Sequence, residues 1–142
     1  MYEVLLHIHS LTPYLFILLM LLIIVMAFIG FNKGRFSGGL KSLARVGLIL
    51  AHLQLLIGIF MLASQAAVFS NGMGTIMKEA TLRFKYIEHP FTMILAVALI
   101  TIGFARSKRA GTDKKKSRNI FIFYSIGLLL ILSRLPYQVW LA

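Results

Sequence analysis

The chain has 142 residues, 59% of them hydrophobic and 13% charged, with 15 basic against 4 acidic residues for a net charge of +11. A soluble domain of this length cannot bury so much apolar surface, which excludes a water-soluble globule and makes lipid the solvent. The absence of cysteine excludes disulfides, thiolate nucleophiles, thiolate metal sites and iron–sulfur clusters.

Four apolar stretches of helical length follow in chain order, predicted as spans at about 13–31, 46–63, 90–105 and 120–135. Each rises roughly 24 to 30 Å as a helix, enough to cross a bilayer core. Helix is required because lipid offers the backbone no hydrogen-bond partner. Ahead of the first span, Thr12 and Pro13 read as N-cap and first helical residue. The N-terminus carries Glu3 and no basic residue before a long apolar stretch, which is not the pattern of a signal peptide. Between the second and third spans, FSNGMGT (69–75) is Gly-rich, and KEATLRFKYIE (78–88) reads as a short helix on the membrane surface. The expected fold is all-α: one domain, a four-transmembrane-helix bundle running up-down-up-down.

The placement of charge sets the direction of the bundle. Lys33, Arg35, Lys41 and Arg45 occupy the first connection, and Arg106, Lys108, Arg109, Lys114, Lys115, Lys116 and Arg118 the third. Bases segregated into alternate loops are the positive-inside pattern, not a nucleic-acid footprint. Both termini and the 65–89 connection are thus expected outside, in the periplasm of a bacterium with an inner membrane. Tyr2, Tyr14, Tyr86, Tyr137 and Trp140 then fall near the outer interface as an aromatic belt.

Against this apolar background His7, His9, His52, His89 and Arg134 stand out. Polar titratable groups at membrane depth are costly and normally face a bundle interior, a partner or a bound group. Counting from the basic ends, His89 and Arg134 lie roughly 25 and 24 Å up their helices and so are level. His9 belongs to the same outer end, whereas His52 lies only roughly 10 Å from the inner boundary. Residues two apart on a helix point about 200° apart, so His7 and His9 cannot both face inward. His9 shares a face with Phe16 and Met20 and is the expected inward residue.

These residue types suit a b-type haem. The group needs neutral imidazoles at its axial positions, apolar walls and cations near its propionates. His9 and His89 are the candidate axial ligands, with Arg134 and Lys85 as propionate partners and Glu88 as an acceptor that orients an imidazole. Each has a plainer alternative. His9 reads equally as a histidine wetted at the headgroup level, His89 as a helix-start residue bonded to a carbonyl, and Arg134 as a snorkelling cation. His52 has several candidate partners: a haem iron, a quinone carbonyl, the Ser64 or Thr101 hydroxyl, or a backbone carbonyl. Gly30, Gly47, Gly58, Gly103 and Gly127 are expected at close helix contacts. No paired carboxylates lie in a span, and there is no phosphate loop or serine nucleophile motif.

HIHS at the start, AHLQLLIG, RFKYIEHP and LITIGFARSKRAGTDKKK followed by IFIFY together resemble a family of small four-helix membrane proteins of Bacteroidota labelled cytochrome B. The resemblance covers essentially the whole chain. It implies a bacterial inner-membrane protein binding haem b, with His9, His52 and His89, and also His7, at the matching positions. The function expected is electron transfer in a quinol-linked assembly, with lipid and other membrane subunits, or further copies of the chain, as partners. A cofactor-free accessory subunit and a quinone- or lipid-binding protein are the alternatives.

Overall fold

The structure, a computed structural model, describes residues 1–137. Trp140 of the expected aromatic belt lies outside the described residues. Among these residues there are helices and turns but no strand. α1 (Tyr2–Lys33) and α2 (Gly38–Ser64) form a first hairpin. A 3₁₀ turn over Ala66–Asn71 and the short α3 (Met73–Lys78) and α4 (Ala80–Arg83) close one end of the bundle. A π-helical turn at Phe84–Glu88 then leads into α5 (His89–Arg109), and α6 (Asp113–Ser133) returns. Four helices, with α4 and α5 counted as one rod over Ala80–Arg109, are long and apolar enough to cross a membrane. The chain is an all-α, multi-pass membrane protein built as a four-helix bundle.

α1 lies between α2 and α6, and α5 lies between the same two neighbours. The four long helices therefore form a square in which α1 faces α5, and α2 faces α6, across the diagonals. Met20, Ile23 and Ala27 of α1, Ala44 and Ala51 of α2, Ile100 of α5, and Ile120 and Tyr124 of α6 fill the interior. Leu15, Leu18, Leu56, Phe60, Phe91 and Leu129 are exposed on the outside. Apolar side chains thus cover both faces, as expected where lipid replaces water.

Small residues set the helix spacing. A Cβ on Gly127 would sit 2.7 Å from Ile100 Cγ1, and one on Gly103 would sit 2.3 Å from Phe123 Cβ, so α5 and α6 touch where side chains are absent. Gly47 admits Ile23 Cδ1 in the same way. Across the α2–α6 diagonal, the buried Tyr124 hydroxyl donates to the Ala44 carbonyl at 2.7 Å.

The end carrying the basic loops is held by turn chemistry. Gly34 takes φ +65°, a left-handed conformation that glycine adopts without strain, and ends α1. The Arg35 N–H then reaches back to the Gly30 carbonyl at 2.8 Å, and the Ser117 hydroxyl of α6 donates to the Arg35 carbonyl. Ser37 caps α2 by accepting the Leu40 N–H, and Thr112 caps α6 by accepting the Lys115 N–H.

Two expectations are corrected. The first helix starts at Tyr2 and passes through Pro13, so Thr12 is no cap; its hydroxyl donates instead to the Ile8 carbonyl at 2.7 Å. The 78–88 segment is not a separate surface helix, because most of it forms the top of the rod that continues as α5. Its π-helical turn has a covalent reason. Pro90 has no N–H to offer the Tyr86 carbonyl, and the His89 N–H bonds back to Phe84, one residue further than in an α-helix.

Candidate functional site

His9 and His89, at the capped end of the bundle, each lie shortly before a proline that removes a helical N–H. Pro13 cannot donate to the carbonyl four residues earlier, which is that of His9. The Gln54 side-chain amide crosses from α2 and donates to this freed carbonyl at 2.7 Å. Gly58, one turn further along α2, lies against the His9 ring; a Cβ there would be 3.1 Å from His9 Cε1. α2 therefore fixes the His9 backbone through an amide and seats its ring against a missing side chain.

His89 enters from the opposite corner, directly after the π-helical turn. Its Nδ1 donates to the Arg134 carbonyl at 2.7 Å, just past the end of α6. The ring lies with its centroid 6.2 Å from that of His9, the two planes 80° apart. Phe84 lies 6.1 Å away on another side of the His89 ring. Because a carbonyl only accepts, the His89 Nδ1 carries a proton. His9 makes no ring-nitrogen hydrogen bond to any described residue.

A charged layer adjoins the pair. Glu88 receives Arg83 Nε at 2.9 Å and faces Arg134 Nε at 3.7 Å. Arg83 also donates to the Met77 carbonyl of α3 at 2.7 Å, and Tyr86 donates to Gln65 at 3.0 Å. These contacts tie the cap to the tops of α2 and α5. Four buried side-chain polar atoms among the described residues have no hydrogen-bond partner, and three belong to this cluster: His9 Nδ1, Gln54 Oε1 and Arg134 Nε. Buried polar groups are nearly always satisfied.

The structure brings together His9, His89 and Arg134 of the expected site residues. Lys85 is exposed, its ammonium 5.1 Å from the centre of the Tyr86 ring, and takes no part in the cluster. Glu88 does not orient an imidazole; the Arg134 carbonyl does that, and the Glu88 carboxylate holds the two arginines. His7 is exposed. His52 stands apart on the outer surface, where its Nδ1 donates to the Leu48 carbonyl at 2.8 Å and its Nε2 lies 3.4 Å from the Thr101 hydroxyl. The lipid-exposed ring is thus paired with a carbonyl and a hydroxyl, two of the partners expected for it. Gln54 is the residue that sequence reasoning missed. The signal was present, because counting four back from Pro13 names the carbonyl that needs a donor.

No family model, curated protein or solved structure matches the chain.

Proposed function

We propose that the protein is a b-type haem carrier for electrons, with His9 and His89 as the axial pair near the outer face of a bacterial inner membrane. The observation that carries this reading is the closeness of the two rings. Rings this close would let His9 and His89 hold one metal ion together. The observed separation is 6.2 Å.

The donor set fits as well. His89 donates its Nδ1 proton to a backbone carbonyl, the support that metal-bound histidines usually have. His9 offers a nitrogen without a hydrogen bond, and Arg134, ion-paired with Glu88, would supply positive charge beside the pair for a propionate. When bound, the haem supplies one-electron chemistry, and the chain supplies ligation, orientation and an apolar surround. Loops rich in lysine and arginine put the opposite end in the cytoplasm and both termini in the periplasm. The family resemblance implies the same cofactor, and a quinol-linked assembly is the matching redox partner.

The purified protein should show a Soret band and a pyridine-haemochrome spectrum of b type. His89→Ala and His9→Ala should abolish them, while His7→Ala and His52→Ala should leave most of the absorbance. A colourless wild-type preparation without iron refutes the proposal.

A second reading draws on the orphaned atoms alone. His9 Nδ1, Gln54 Oε1 and Arg134 Nε provide the donors and acceptors that a quinone or quinol headgroup needs. Organic extraction and mass spectrometry of the purified protein test it, and an extract free of quinone removes it.

A further inference from the structure

At the end of the bundle away from the histidines, a shallow concavity of about 310 Å³ at the α5–α6 turn is lined by Arg106, Arg109, Lys115, Arg118 and Asn119 together with Ala110 and Gly111. Four cationic side chains line it and no acid does. Among the described residues the only ion pairs are those of Glu88 at the opposite end, so these cations have no carboxylate partner. Asp113 is the one acidic residue in this connection, and it forms no ion pair.

A second feature is independent of charge. Asn119 lines the concavity, and its side-chain amide makes no hydrogen bond to a described residue. Here its free hydrogen-bonding capacity opens into the basic hollow. Position matters too. Asn119 is followed by the apolar run of α6, and the Arg106 guanidinium lies 5.6 Å from the centre of the Phe123 ring. The hollow therefore straddles the polar–apolar boundary, at the depth of a lipid headgroup.

We propose that this concavity is a binding site for the phosphodiester headgroup of an anionic lipid, with Arg106, Arg109, Lys115 and Arg118 meeting phosphate oxygens and the Asn119 amide donating to one of them. Basic hollows between membrane helices suit such headgroups, and guanidinium forks match phosphate geometry. The site differs from general attraction of a basic loop to a charged leaflet, because it joins residues of two helices around one hollow and includes an uncharged donor. It does not depend on the haem proposal.

The test compares lipid retention by the full-length protein in neutral detergent, measured by native mass spectrometry after titration with cardiolipin. The double variant Arg109→Gln/Arg118→Gln removes two cations from the hollow. The control Lys41→Gln/Arg45→Gln removes the same charge from the other basic connection. At roughly 1 kcal/mol per basic residue near an anionic lipid, the first pair should weaken retention about 30-fold, and the control only a few-fold. Asn119→Leu, with every charge kept, should also lose retention measurably. Inorganic phosphate at millimolar concentration should not displace the lipid. Equal losses in the two double variants, an unaffected Asn119→Leu, or displacement by free phosphate would each overturn the assignment.

Discussion

The contact between Gln54 and the His9 carbonyl makes a quantitative prediction, because a covalent fact explains why it exists. Pro13 leaves that carbonyl without its helical donor, and the Gln54 amide fills the gap at 2.7 Å. Replacing Gln54 by leucine keeps the volume and strands the carbonyl in an apolar interior. A buried group left unsatisfied costs about 1–3 kcal/mol, but interhelical hydrogen bonds in membrane proteins average about 0.6 and reach about 1.7 kcal/mol. Gln54→Leu should therefore cost about 1–2 kcal/mol. Pro13→Ala restores the N–H that the His9 carbonyl lacks, and in that background the same substitution should cost a few tenths of a kcal/mol. The predicted coupling is about 1 kcal/mol. Gln54 Oε1 is itself buried without a partner, and relief of that burden enters both backgrounds equally, so it cancels in the cycle. Reversible unfolding in mixed micelles of increasing dodecyl sulfate, followed by far-UV circular dichroism, measures all four states. Equal costs of Gln54→Leu in both backgrounds would refute the account of how His9 is held.

The other predictions use the same unfolding assay unless stated. Tyr124→Phe removes the diagonal bond to the Ala44 carbonyl and should cost about 0.6–1.7 kcal/mol; no change would mean the bond carries no net stability. Gly127→Ala drives a methyl to 2.7 Å from Ile100 Cγ1 and should cost about 1–3 kcal/mol. Adding Ile100→Ala should recover part of that loss, and a failure to recover it would place the strain elsewhere. His52→Ala, at an exposed position, should change stability by about 0.5 kcal/mol or less, with haem content unaltered. Glu88→Gln removes the charge that joins Arg83 to Arg134, so hydrogen exchange should quicken across 73–88 and stay unchanged in the lower half of α6. Uniform exchange rates would show that the cap does not depend on this carboxylate.

The parts legible in the sequence were those governed by periodicity and depth. Hydropathy marks all four long helices. The 3.6-residue period placed His9 on the face of Phe16 and Met20, both of which are buried, and counting along the helices put His89 level with Arg134. The parts that stayed hidden depend on contacts between distant residues. Thr12–Pro13 has the look of a helix start, yet the helix runs through because α2 supplies a donor to the carbonyl that proline frees. Proximity in sequence favoured Glu88 as the support for His89, whereas the chain end of α6 brings a backbone carbonyl there instead. Lys85 has the right charge and level, but the wide turn before His89 leaves it on the outside of the rod. The wide turn itself was not foreseen, although Pro90, which lacks the N–H, stands in the sequence.

The central claim is that His9 and His89 together hold one iron. Electron paramagnetic resonance of the oxidised, purified protein tests it most directly. The account predicts a low-spin ferric signal from two imidazole ligands, strongly anisotropic because the ring planes are nearly perpendicular, and its conversion to high spin or loss in His9→Ala. A wild-type spectrum that is high-spin or iron-free, or a low-spin signal unchanged by His9→Ala, would contradict it.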